Sequence, residues 1–202
     1  MKYQADHHIT KDQHVWAFAA DMQPVLRVKP GATIHLETWD CFTGQVQSEA
    51  DTVEKLDLNR VNSATGPIFV EGAMPGDSLA VTLKTIDPGP QGAGMVIPEW
   101  GQLIHKSKSP VTRIFKVSDG IVTMNEKVSF PAVPMLGVIG VAPESGAIAT
   151  FEAGRHGGNM DDHFHRKGAT LYITMSPCKE CSKLIHQSGI KRVVYHNGYR
   201  DD

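Results

Sequence analysis

Cysteine is scarce. Cys41, Cys178 and Cys181 are the three thiols in 202 residues, too few for a disulfide-stapled secreted scaffold and an odd number that cannot all pair within one chain. Long hydrophobic runs are missing too. Nothing approaches the roughly 18 apolar residues of a membrane-spanning helix, and the opening MKYQADHHITKDQH holds no apolar stretch of signal-peptide length. Net charge is small: 20 Lys and Arg against 22 Asp and Glu leave −2. That balance excludes the basic surface that grips a nucleic-acid polymer, and no Lys/Arg cluster suggests a membrane surface. A reduced, cytoplasmic protein is the expectation.

Glycine and proline are present instead, 19 and 12 of them, and they punctuate nearly everything before residue 168. Between them lie short, β-branched or alternating segments: Val25–Val28, Ala32–Thr38, Ile68–Val70, Leu79–Ile86, Thr112–Val117 and Lys127–Phe130. Turn signals such as KPG, MPGD, DPGP and SDG separate them, which predicts a mainly β fold, an antiparallel sandwich or barrel. Period-2 alternation is clearest in ATIHLET, where Ile34 and Leu36 share one face and His35 and Glu37 the other. Gln47–Val61 reads as a helix or a long loop.

The style changes after Gly168. ATLYIT reads as a strand, Ser176 as an N-cap, and Pro177 sits at the first helical position, where its fixed φ and missing N–H cost nothing. A helix over Pro177–Ser188 is predicted, stopped by Gly189, and IKRVVYH reads as a second strand. Such a strand–helix–strand tail needs a parallel sheet to join. Two domains are expected: a β domain over residues 1–165 and a β-α-β fragment over 166–202.

Four constellations carry chemistry. His14-Val15-Trp16 reads as packing. Asp40-Cys41-Phe42 puts a carboxylate beside a thiol, Cys41 being expected as a buried small hydrophobe. Asn62 to Ala73 reads as a structural hairpin. His156-Gly157-Gly158-Asn159-Met160-Asp161 is the most chemical. Its glycines offer backbone N–H groups for an oxyanion, His156 a base or metal ligand, Asn159 an amide donor and Asp161 a carboxylate. A tight turn is the competing reading.

The stretches HVWAFAADMQPVLRVKPGATIHLETWDCFTGQ, NSATGPIFVEGAMPGDSLAVTL, VPMLGVIGVAP and GRHGGNMDD together resemble the acetamidase/formamidase family over about residues 8 to 162. The resemblance implies a β-sandwich-plus-barrel fold, a homo-oligomer, and hydrolysis of short aliphatic amides to carboxylate and ammonia. Its expected machinery is His156, Asp161, Asp40 and Asn159, with Gly157 and Gly158 as oxyanion donors. The family continues beyond this point with an acidic, His-bearing segment, to which nothing here corresponds.

In the tail, Ser176-Pro177-Cys178-Lys179-Glu180-Cys181 puts two thiols on one face of a helix start, where the helix dipole favours thiolate, a good metal half-site. Read alone, the Cys-x-x-Cys is also consistent with a redox pair or a disulfide. GATLYITMSPCKECSKLIHQSGIKRVVY resembles the second half of the cytidine/deoxycytidylate deaminase zinc fold over residues 168 to 200. The resemblance implies zinc or another divalent metal at Cys178 and Cys181. The signature's His-x-Glu, which holds zinc and moves protons from an upstream helix, is read as missing. His163-Phe164-His165 occupies roughly that interval, and His165 offers an imidazole. The chain reads as a chimera joined near 162–168. Zinc should copurify with the protein, and the share held by this pair should be lost in Cys178→Ser/Cys181→Ser; unchanged zinc in elemental analysis of that variant would refute the assignment.

Overall fold

Turn chemistry and strand chemistry alternate along this chain, and the backbone follows them. In SDG, Asp119 and Gly120 both take positive φ, 53° and 74°, the pairing a two-residue hairpin turn needs to match strand twist. The KPG turn closes with Ala32 N donating to Lys29 O at 3.3 Å, and the MPGD turn with Asp77 N on Met74 O at 3.0 Å. The computed structural model describes residues 4–102 and 104–173; the predicted helix at Pro177–Ser188 lies outside them. All six segments singled out above contain strands, so the fold is mainly β. Gln47–Val61 is a long loop carrying two 3-10 turns, Val53–Lys55 and Leu58–Arg60.

The chain divides into two compact units. The first comprises Met1–Asp40, Asn62–Ile86 and Met135–Asp202, described as far as residue 173; the second comprises Cys41–Val61 and Asp87–Pro134. The first unit opens with β1 (His7–Ile9), β2 (His14–Val15), β3 (Ala17–Ala19), β4 (Leu26–Val28) and β5 (Ile34–Leu36). It continues with β6 (Ala64–Thr65), β7 (Ile68–Val70) and β8 (Leu79–Thr82). The second unit holds β9 (Gln91–Val96), β10 (Val111–Ser118), β11 (Ile121–Asn125) and β12 (Val128–Pro131). The chain then returns to the first unit through β13 (Val138–Gly140), β14 (Ala147–Ala149), β15 (Gly157–Asn159) and β16 (Thr170–Ile173).

Pairing in the first unit is mostly between strands distant in sequence. Antiparallel pairs join β2 to β6, β3 to β14, β8 to β16 and β13 to β15, while β1–β5 and β4–β7 are parallel. The hairpin reading of Asn62 to Ala73 is therefore corrected: β6 and β7 join different partners. The two residues between them explain why. Gly66 N donates to Gln13 O at 2.9 Å, and Pro67 O accepts from Val25 N at 2.9 Å, so the connection is held from both sides. The tail strand β16 is integrated rather than appended. Thr170 faces Thr82 in register, their hydroxyls 3.0 Å apart, and Leu83 N donates to Ala169 O at 2.9 Å.

Close burial is sparse. Ile9, Val28 and Leu171 in the first unit are the buried apolar side chains among the described residues, with Val46 in the second. Thr150, fully buried, donates through both its N–H and its hydroxyl to Trp16 O, at 2.9 and 3.2 Å. In the second unit, consecutive antiparallel hairpins build one four-stranded sheet, β9 to β12. The 47–51 loop packs along it through Thr112 Oγ1 on Asp51 O (2.7 Å) and Arg113 on Glu49 (2.9 Å). Asp51 itself accepts from Gln47 N and Ser48 N, and these bonds hold its carboxyl below the usual carboxylate range. Trp100 and Val133 in this unit are 68% and 60% exposed.

Backbones meet most tightly at β15. Gly157 and Gly158 both have positive φ, 98° and 94°; a Cβ on Gly157 would run into Ile139 O, and one on Gly158 into Glu152 O. Gly146 also has positive φ, 73°, but nothing lies within 4 Å of a Cβ there. Gly146→Ala should therefore cost about 1–2 kcal/mol, the left-handed penalty alone, and Gly158→Ala more than about 4 kcal/mol or outright unfolding. Urea unfolding of both variants checks this, and equal costs would refute the packing account.

Candidate functional site

Alternate residues His14, Trp16 and Phe18 set up a row of rings. His14 stands edge-on to Trp16, centroids 4.6 Å apart at 88°, and Phe18 lies 5.4 Å from His156. β14 delivers the second half of this arrangement, since Ile148 pairs with Phe18 in register. The chain then turns at Gly154 to enter β15.

His156 is the buried group of the loop, 6% exposed. Burial lowers its pKa, because desolvation disfavours the charged ring, and the Glu152 backbone and carboxylate oppose this in part. Its Nε2 is buried with no hydrogen-bond partner among the described residues. An orphaned polar atom of this kind is costly and marks a place where a ligand or water belongs. His14 shares the feature. Its Nδ1 lies 2.8 Å from Lys11 O, which can only accept, so Nδ1 carries the proton; its buried Nε2 lacks a partner among the described residues. The packing reading of His14 accounts for the stack on Trp16 but leaves Nε2 unexplained.

Asn159 and Asp161 converge over Gly137. Asn159 Nδ2 donates to Asp161 Oδ2 at 3.1 Å, and a Cβ on Gly137 would lie 2.7 Å from Asp161 Oδ1 and 3.3 Å from Asn159 Oδ1. Met160 N and Asp161 N donate to Gly137 O at 3.0 and 3.3 Å, fixing the turn in which Asp161 takes φ 45°. The Gly157 N–H is already used, donating to Gly154 O at 3.0 Å. Asp40 is exposed and ends the N-terminal segment of the first unit. Cys41 is exposed and belongs to the second unit, which corrects its expected burial: it sits in a loop, with no strand face to turn inward.

His165 is anchored through Nδ1, with the Asp162 carboxylate beyond hydrogen-bond distance of Nε2. Nδ1 lies 3.2 Å from Leu136 O and Nε2 3.6 Å from Asp162 Oδ2, while Asp162 Oδ1 accepts from Phe164 N. Cys178 and Cys181 lie outside the described residues. The reading that no His-x-Glu exists is corrected as well. His35-Leu36-Glu37 has that spacing, but on and just beyond strand β5, where residues two apart share a face, and not on a helix. Glu152, which faces His156, carries no sequence signal as a lone Glu in a loop, whereas the spacing that marks Glu37 is legible in the sequence.

The Acetamidase/Formamidase family description matches residues 3–155, and the chain belongs to that family. The match stops one residue short of His156. A second description, the cytidine and deoxycytidylate deaminase zinc-binding region, matches residues 143–197 and overlaps the first. Among solved structures, an acetamidase from Bacillus halodurans is 34% identical with a TM-score of 0.80, covering 83% of this chain and 57% of its own. A predicted acetamidase/formamidase from Thermoanaerobacter tengcongensis is 41% identical with a TM-score of 0.79, covering 83% and 56%. A deoxycytidylate deaminase of Mycobacterium phage D29 is 68% identical over 28 residues, 14% of this chain and 22% of its own. The chain thus spans little more than half of these amidase structures and about a fifth of that deaminase.

The lowered pKa of His156 has a direction that can be measured. The folded state holds the ring neutral below the ordinary value of 6.5, so it binds fewer protons than the unfolded state. Its contribution is present above about pH 6.5 and is lost as pH falls through the folded pKa. The stability gap between the wild-type chain and His156→Asn should narrow as pH drops from above 6.5 in paired urea titrations; a constant gap would show that His156 is not held neutral by burial.

Proposed function

We propose that the chain is built for hydrolysis of short linear amides, formamide and acetamide among them, to carboxylate and ammonia. The observation that carries this is the buried His156 with its unpartnered Nε2, at the head of the strand that leads to the Asn159–Asp161 pair, in a chain of this family. Kept neutral near pH 7, the imidazole can take a proton from attacking water and return it to the leaving amine. Asn159 supplies an amide donor, and Asp161 and Asp40 supply carboxylates that orient water or imidazole. The backbone at Gly157 and Gly158 is the proposed oxyanion donor; the Gly157 N–H must then be shared with Gly154 O. A homo-oligomer belongs to the same proposal, supported by exposed Trp100 and Val133 in the second unit. No helix among the described residues is long and apolar enough to cross a membrane. A cytoplasmic setting is proposed from the low cysteine count.

A second reading rests on the match of residues 143–197: a chimeric tail that binds zinc. Cys178 and Cys181 would hold the ion with His165, whose Nδ1–H is committed to Leu136 O and whose Nε2 lone pair is therefore the ligating one in the neutral ring. Zinc bound there would polarise a coordinated water. His35-Leu36-Glu37 falls outside the matched residues, so deoxycytidylate turnover is not expected.

Ammonia release should be detectable with formamide or acetamide. It should drop about 10²–10⁴-fold in His156→Ala, the usual worth of one proton-transfer group, and also fall in Asp161→Asn and Asp40→Asn. Undiminished activity in all three variants would reject the site; release from deoxycytidylate would instead overturn the expectation that the zinc-binding tail lacks deaminase turnover.

A further inference from the structure

The parallel pairing of β1 with β5 sets His8 directly beside His35. Partners in a parallel pair project to the same side of the sheet, as do residues two apart along a strand, so Glu37 joins them. The side chains meet accordingly. The two imidazole rings are 4.8 Å apart at 67°, and His8 Nε2 lies 3.1 Å from Glu37 Oε1. One potential donor atom from each of the three residues lies within 4.8 Å of the other two.

One further contact reaches the carboxylate. Lys11 N points to Glu37 Oε2 at 3.5 Å, while the Lys11 ammonium is drawn over the Trp39 ring, 3.9 Å from its centroid. The Glu37 backbone is pinned as well, its N–H on Ile9 O at 2.9 Å and its carbonyl on Thr65 Oγ1 at 2.8 Å. The end of β5 is thus rigid, whereas the side chains of His8 and Glu37 are 51% and 42% exposed and can adjust.

We propose that His8, His35 and Glu37 form a binding site for a borderline divalent metal ion of the zinc, cobalt or nickel type. Two imidazoles and one carboxylate suit these ions; calcium and magnesium take oxygen donors. Donors on one ion at about 2.1 Å lie no more than about 4.2 Å apart, so the widest pair closes by less than about 1 Å, within the reach of rotations at exposed side chains. Three protein donors on an open face leave a fourth position for water or for a ligand atom. The site is independent of the amidase reading, uses none of its residues, and shares none with the Cys178–Cys181 pair.

The test uses the full chain carrying Cys178→Ser/Cys181→Ser, stripped with chelator and titrated with Zn²⁺ by calorimetry and with Co²⁺ by visible absorption. One equivalent should bind, with a cobalt spectrum lacking thiolate charge transfer. His8→Ala and His35→Ala should each weaken binding by about tenfold or more, at least what loss of an outer-shell partner costs, and the pair together should abolish it. His105→Ala, at an exposed histidine of the second unit, should change nothing. Both surface histidine variants should keep the unfolding midpoint of the parent, which separates a lost ligand from a lost fold. Absence of the one-equivalent binding, or its persistence in His8→Ala/His35→Ala, would overturn the proposal and leave His8–Glu37 as a simple hydrogen bond.

Discussion

The candidate amidase site depends on backbones approaching where no side chain fits. At β15, Gly157 lies against Ile139 O and Gly158 against Glu152 O, and across the pair Gly140 would set a Cβ 2.8 Å from His156 O and 3.0 Å from the Phe18 ring. Three glycines thus let β13, β15 and the Glu152 turn close on one another. His156 is buried because of that closure, and its depressed pKa follows from the burial. Glycine here serves positioning first: the same N–H groups that a loop could aim at an oxyanion are partly spent on holding the loop together.

Much of this was legible beforehand, and for identifiable reasons. Gly and Pro turns located the strands, since positive φ at Gly31, Gly76 and Gly120 is a local property that the residue type reports. Alternation in ATIHLET placed His35 and Glu37 together because a strand's faces have a strict period. The HGG stretch stood out for the same local reason. What could not be read was partnership. The residues of β6 and β7 look like a hairpin, yet they pair with β2 and β4, a decision made by Gln13 and Val25 far away in sequence. His8 is unremarkable until the parallel register sets it beside His35. The orphaned Nε2 of His14 is invisible from sequence, because it depends on what Lys11 O has already claimed.

The family description reaches only the edge of the site, while the amidase structures cover 83% of the chain. The family match ends at residue 155 and the loop begins at 156, while the deaminase-type match covers that loop from 143 onward. β16 follows directly on the proposed junction near 162–168, its residues continuing the pairing with β8 that Gly168 N starts on Leu83 O, at 2.7 Å. A strand that obeys the period and composition of either parent can serve both.

The pairing of Thr82 with Thr170 also orders events in time. Its two strands are 88 residues apart in sequence, and the intervening chain includes every strand of the second unit, whose hairpins are joined neighbour to neighbour. Local pairings form fast and distant ones slowly. During synthesis the second unit can therefore complete its sheet while β8 still shows a bare edge, and that edge stays open until residue 170 leaves the ribosome. Until then, the edge of β8 that β16 covers offers unpaired backbone to any other strand nearby, and arrival of the tail closes that edge.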